Sequence, residues 1–407
     1  MKRILIIFED EVSPFLASFG LSEFLEENGF SIIYACSPSI SEHIHANNFN
    51  YHIFHCVDLL GIEEELDAFL ETYHIDLTLI DLTLTHFAYL LFERNIPFIG
   101  LSNELGGVFN CKVPPVFSNL IPQNSRVLST VLNLLSWTKN YLRYHILLIL
   151  YVTFHFASKL SLPKQLLINK RLKQSGFQIR WGEYGYKLNI PELKLCIRAF
   201  DFPIVSNWNK KYYIGMFPFV NRIANGRAWA EPSPGKPLVY CSLGSHGQHY
   251  AKGKRFLLTL LEVFSKNLHW QLIIQINDTG LIADLVAIKP DNVNIYDWLS
   301  QKDILARASL FITHGGFGSI KEAIQLKVPM LVCPFHADHY GNAARVQYWS
   351  LGKIIDAKAS SKQMEKHIKH ILCSDQYRFT AEKFYQLSND QQAHVIDLIN
   401  DTIASNE

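Results

Sequence analysis

The run Thr313-His314-Gly315-Gly316-Phe317-Gly318-Ser319 follows an apolar stretch, Leu310–Ile312, and leads into Ile320-Lys321-Glu322-Ala323-Ile324, which has helical spacing. A strand that feeds a helix through a tight glycine turn belongs to a parallel sheet wound by helices, so this order leaves few architectures open. The turn also has a chemical meaning. Glycines let backbone N–H groups approach an anion closely, and the positive end of the following helix favours negative charge there. Tight strand-to-helix turns also occur without a ligand, so the neighbouring residues decide between the two.

Those neighbours are suggestive. Trp298 and Gln301 precede the turn where they can flank a nucleotide, and an indole can stack on a base. Pro334, Asp338, His339 and Asn342 follow the next strand-like run, Pro329–Phe335, at the carboxyl end where open parallel sheets bind ligands. Trp298-Leu299-Ser300-Gln301, then His314 to Glu322, then Pro334 to Ala343 resembles the signature of the UDP-glycosyltransferase family, matched in order over more than forty residues. Membership would imply a GT-B fold: α/β, with two doubly wound Rossmann-like domains facing across a cleft.

The rest of the chain fits two such domains. Strand-like runs Ile4–Phe8, Ser31–Cys36, Tyr51–Cys56, Leu77–Leu82 and Pro97–Leu101 alternate with helical segments such as Phe15–Glu27 and Ile62–Tyr73. A second series follows: Leu238–Ser242, Gln271–Ile276, Val293–Trp298, Leu310–His314, Met330–Pro334 and Lys353–Ile355. At 407 residues the chain suits two domains. Asn221–Pro237 reads as a turn-rich linker. We expect an acceptor-binding domain at 1–218, a nucleotide-sugar-binding domain at 219–388, and a closing helix at 389–407 that packs back on the first domain. The seven scattered cysteines form no C-x-x-C pair, which suits a reduced cytoplasmic protein. Glu9-Asp10-Glu11 cuts short the apolar start, which therefore reads as a first strand and not an export signal.

Between Leu105 and Gly182 there is no Asp or Glu, against ten Lys and Arg; with a net charge of +1, the remainder carries −9. Within it, Ile146–Phe154 is uncharged but too short to span a bilayer, which takes about 20 residues. A buried helix is one reading. A surface that contacts anionic membrane peripherally, at the inner face, or admits an apolar acceptor is the other. No nucleic-acid motif appears.

The resemblance implies an inverting hexosyltransferase using a nucleoside diphosphate sugar, UDP first and dTDP second, with no cofactor. The absence of a D-x-D motif suggests metal independence. By resemblance His314 and Ser319, with Gly316 and Gly318, contact the diphosphate; Glu322 accepts ribose hydroxyls; Trp298 and Gln301 hold the base. Ser245, Asp338, His339 and Asn342 complete the donor site. Ser300 stands where the family has Pro, Gly318 where plant relatives often have Asn, and His339 where Gln is usual. The expected acceptor is an apolar small molecule or lipid, since the first half is rich in Phe, Leu and Ile.

The base departs most from the family. A histidine is usual after the first strand, three residues before a proline; here Pro14 is kept but the position is Glu11. Asp81 matches the aspartate that partners it. Glu11 or Asp10 could take the proton, since an apolar pocket raises a carboxyl pKa, or His86 could act from across the cleft. Glu9-Asp10-Glu11 could equally be a solvated loop. A non-catalytic nucleotide-sugar-binding partner or activator, or a sugar-nucleotide epimerase, remains the alternative.

Overall fold

Along Arg3–Ile7 the side chains alternate between two cores: Ile4 and Ile6 pack with Phe15, Phe19 and Tyr34, while Leu5 and Ile7 pack with Leu66, Phe69 and Leu91. A strand apolar on both faces must be covered on both, which is the condition of a parallel sheet between helical layers. Leu238–Ser242 repeats the pattern, with Leu238 and Tyr240 facing one core and Val239 and Cys241 another. The computed structural model describes residues 1–54, 59–154, 170–182, 185–203, 211–217, 228–244, 252–387 and 393–405, without the side chains of 59–61, 147–154 and 185–186.

Among these residues the first sheet has seven parallel strands, in spatial order Asn50–Ile53, Ser31–Cys36, Arg3–Ile7, Leu77–Ile80, Phe98–Ser102, Glu192–Lys194 and Lys211–Tyr213. The second has six, Val293–Tyr296, Gln271–Gln275, Leu238–Ser242, Leu310–Thr313, Met330–Val332 and Gly352–Ile354, also parallel. Ile179–Gly182 and Gly185–Leu188 form a separate antiparallel pair. The strand-like runs of the two sequence series appear, with ends shifted by a few residues; the end of Tyr51–Cys56, residues 55–56, lies outside the described residues. Glu192–Lys194 and Lys211–Tyr213, each of three residues, were not among those runs.

In each sheet the order reverses once. In the first this happens between Arg3–Ile7 and Leu77–Ile80, paired from Ile4 opposite Leu77 to Ile7 opposite Ile80. In the second it happens between Leu238–Ser242 and Leu310–Thr313. Connections on either side of such a point leave to opposite faces of the sheet, opening a crevice at the carboxyl ends. The loops at Phe8–Glu11 and Asp81, and those at Gly244 and His314, therefore fall at the two crevices.

The halves are joined by more than the chain. Cys196, Ile197, Phe200 and Met216 belong to the core beneath Leu310–Thr313. Gly341 N donates to Val116 O at 2.6 Å. The helix Ala393–Ala404 sends Val395, Ile399 and Ile403 into the core of the first sheet. Part of the linker, 221–227, lies outside the described residues.

Candidate active site

The turn after Leu310–Thr313 is shaped by what surrounds His314. Its ring is almost fully buried, and a Cβ built on Gly244 would lie 2.6 Å from it; one on Gly316 would overlap it. Gly315 has φ +95°, a conformation L side chains avoid, and its added Cβ would meet Val332 Cγ1 at 2.8 Å. Asn342 supports the turn from behind: its Nδ2 donates to Gly315 O at 3.0 Å and to Asp338 Oδ2 at 2.8 Å. Behind the turn the helix Phe317–Gln325 begins with Gly316 as N-cap and no capping side chain, so its first N–H groups and dipole are available to an anion. Gly318 has no atom within 4 Å of an added Cβ. Gly315→Ala is therefore expected to destabilise the protein by at least about 1 kcal/mol, and Gly318→Ala to leave stability unchanged or raise it by up to about 1 kcal/mol. Urea unfolding of the two variants checks the contrast; equal effects would remove the geometric argument for the turn.

Within this helix, Ser319 and Glu322 are both reached by Gln301. Its Nε2 donates to Glu322 Oε2 at 2.6 Å and approaches Ser319 Oγ at 3.4 Å. Burial pushes the Glu322 carboxyl up to about 7. Trp298, on the loop before Gln301, remains 42% exposed, and an indole can stack on a flat ring.

Between the halves lies a cavity of about 850 Å³. His314, Gly316, Asp338 and His339 line it from one side, and Glu9 to Pro14 and Asp81 from the other. Trp298, Gln301, Gly318, Ser319, Glu322 and Asn342 are not among its lining residues; Asn342 serves the turn and Asp338 instead. Ser245 lies outside the described residues. His336 N donates to His339 Nδ1 at 3.3 Å, which leaves the proton of a neutral ring on Nε2, 3.8 Å from Asp338 Oδ1. The His314 and His339 rings meet edge to face, 4.6 Å between centroids. Burial pushes Asp338 up to about 7, reinforced by the negative charges of Glu104 and, more weakly, Glu11. Residues of both halves thus share one electrostatic field.

The candidate bases separate clearly. Asp10 is turned toward Ser37, whose Oγ donates to its Oδ1, with Ser39 Oγ at 3.3 Å. Glu11 is exposed and lines the cleft. Asp81 lines it too, and burial pushes its carboxyl up to about 6 despite Lys187 and two hydrogen bonds from Thr83. Both bonds, from Thr83 N at 2.9 Å and Thr83 Oγ1 at 2.7 Å, fall on Oδ1. His86 does not line the cleft; it sits in the helix Thr85–Glu93 with its ring against Phe87. The structure therefore does not bring it to the cleft beside Asp81 and Glu11.

One part of the wall was missed altogether. Lys187 Nζ pairs with Glu104 Oε2 at 2.6 Å, and Lys194 Nζ with Glu192 Oε1 at 2.7 Å and Glu104 O at 2.7 Å. Burial would raise Glu192, but Lys194, Lys211 and Ser102 outweigh it and hold the carboxyl down at about 2. The signal was present in Glu192-Leu193-Lys194-Leu195: charges at alternate positions put one face of a strand on a cleft and the other on a core. Many of the Phe, Leu and Ile that suggested an apolar acceptor slot are buried in the cores of the first sheet.

A family model described as UDP-glucoronosyl and UDP-glucosyl transferase matches residues 201–400. Among curated proteins, an oleandomycin glycosyltransferase of Streptomyces antibioticus is 33% identical over 136 residues, 32% of this chain and 31% of that one. Human 2-hydroxyacylsphingosine 1-beta-galactosyltransferase is 30% identical over 110 residues, 26% and 20% of the respective chains. The matched segments thus span a third or less of these two relatives. Among solved structures, the glycosyltransferase of kitacinnamycin superposes with a TM-score of 0.70 over 99% of this chain and 98% of that one at 20% identity. The glycosyltransferase VinC, solved in complex with dTDP, superposes at 0.66 over 100% of both chains at 13% identity. The fold is therefore GT-B.

Proposed function

Because residues 201–400 belong to the UDP-glucuronosyl and UDP-glucosyl transferase family and the whole chain has the GT-B fold, we propose that this protein transfers a hexose from a nucleoside diphosphate sugar to an acceptor hydroxyl with inversion. The observation that carries the reading is the cleft itself: an uncapped helix terminus and His314 on one side, Asp81 and Glu11 on the other. The diphosphate sits on the turn Gly315–Ser319, where backbone N–H groups and the helix dipole take up the charge of the leaving group. The base stacks on Trp298, and Glu322 receives the ribose hydroxyls. Asp338 and His339 hold the sugar. Asp81 takes the acceptor's proton as the acceptor oxygen attacks the anomeric carbon, and the nucleoside diphosphate leaves with the electron pair of the bond that breaks.

Lys187, Lys194, Lys211, Glu104 and Glu192 bear on the acceptor. A wholly apolar molecule would strip water from these charges without replacing its hydrogen bonds. The acceptor, an apolar small molecule or lipid in its larger part, therefore presents polar groups to this wall.

UDP, dTDP and GDP tested in parallel by thermal shift decide the donor class. A bound nucleotide at about 100 times its Kd should stabilise the native state by roughly 2.7 kcal/mol. The shift should come from UDP, or from dTDP, and vanish in Trp298→Ala and His314→Ala. No shift with any of the three would sink the reading.

A further inference from the structure

We propose that the helix Arg126–Phe154 docks in the plane of an anionic lipid bilayer. It runs 29 residues, about 43 Å at 1.5 Å per residue. Its inner side is anchored: Asn133 and Trp137 are buried, Asn133 Nδ2 donates to Cys111 O at 3.2 Å, and the Trp137 ring meets Phe117 at 4.9 Å between centroids. Its outer side carries Val127, Val131, Leu134, Leu135, Leu142 and Ile146, all exposed, with Val127 at 75% and Leu135 at 62%. These positions recur at intervals of 3, 4 and 7, so they form one stripe, and a contiguous apolar stripe facing solvent marks an interaction surface.

Charge selects the occupant. Exposed Lys139 and Arg143 lie one turn apart beside the stripe, and no Asp or Glu occurs anywhere from Leu105 to Gly182. A second copy of this chain packed on the same face would set these cations against each other with no acid in the stretch to offset them. An anionic lipid surface supplies both an apolar layer for the stripe and negative charge for its border. Among the described residues no helix is long and apolar enough to cross a membrane, so this one lies on the surface. The helix also packs on Phe109 through Trp137, and Gly107 and Val108, just before Phe109, line the cleft. Docking would bring that wall to the headgroup layer.

The test is flotation of the full chain with phosphatidylcholine vesicles, with and without 30 mol% phosphatidylglycerol. Binding is expected only to the anionic vesicles and should weaken in high salt. Lys139→Glu/Arg143→Glu should lower the partition coefficient at least about thirtyfold, and Leu135→Glu/Leu142→Glu at least about tenfold. All four side chains are exposed, so melting temperatures should stay near the parent's. If the leucine pair unfolds, the charge pair still decides. Failure of the parent to bind, or equal binding by a folded variant, overturns the proposal. So does a dimer in light scattering that Leu135→Glu/Leu142→Glu makes monomeric without any lipid binding. Nucleotide thermal shifts are read separately, so loss of docking leaves the reaction assignment standing.

Discussion

Asp81→Asn is expected to lower turnover by about a hundred- to ten-thousandfold, the range for loss of a general base, with little change in KM for the donor. Asparagine keeps the shape and can still accept the Thr83 bonds, but it cannot take a proton. Because burial pushes the Asp81 carboxyl up to about 6, the parent's rate should fall about tenfold per pH unit below that value as the base is protonated. In the variant this acid limb should disappear. Stability moves the other way. A carboxyl whose folded pKa lies above its unfolded value contributes stability at low pH that is lost as pH rises through about 6. At pH 7 the ionised, desolvated Asp81 is a cost, so Asp81→Asn should unfold no more easily than the parent. Glu11→Gln should have a smaller effect on rate, since Glu11 is exposed at the cleft edge. If Asp81→Asn kept full turnover while Glu11→Gln lost it, the proton would belong to the loop after the first strand.

Arg345→Ala is expected to cost about 3–5 kcal/mol, the range for removing one partner of a buried ion pair. Arg345 is fully buried; its Nη2 lies 2.7 Å and its Nε 3.1 Å from Asp201 Oδ1, and its guanidinium stacks over Phe202 at 4.5 Å. It also donates from Nη1 to Gly341 O at 3.1 Å. Asp201 accepts from Tyr213 Oη at 2.7 Å, so the pair ties the edge of the first sheet to the second half of the chain. Burial alone would raise the Asp201 carboxyl, but Arg345 and Tyr213 outweigh it and hold it below the usual range. Such a group stabilises the fold above its unfolded pKa, and that contribution is lost as pH falls through the folded one. In Arg345→Ala the acid sensitivity from this pair should go, and the melting temperature at pH 7 should drop by about 10 °C. Arg345→Met/Asp201→Asn, which removes both charges, should recover part of the loss. Without recovery, lost packing and not stranded charge would be the cause.

Much of this protein is local and therefore legible in the chain. Continuous apolar runs give the strands of both sheets, since each must bury two faces, and Gly315 and Gly316 mark the turn because a side chain at the first would meet Val332 and at the second His314. The residues proposed to hold the donor are spaced along strand ends of the same sheet as that turn. The acceptor side was harder. His86 and Asp81 are five residues apart, yet only Asp81 reaches the cleft, because one ends a strand and the other starts a helix. Glu104, Lys187 and Lys194 come from three separate segments, and Asp201 and Arg345 are 144 positions apart. Charges so far apart carry no shared period: strand pairing within the first half brings Glu104 beside Lys194, and the packing of the two halves brings Asp201 to Arg345. The helix Arg126–Phe154 shows the same division. Its cations and lack of acids are written in the sequence, but which apolar side chains face solvent was decided by Asn133 and Trp137 finding partners on the cleft loop.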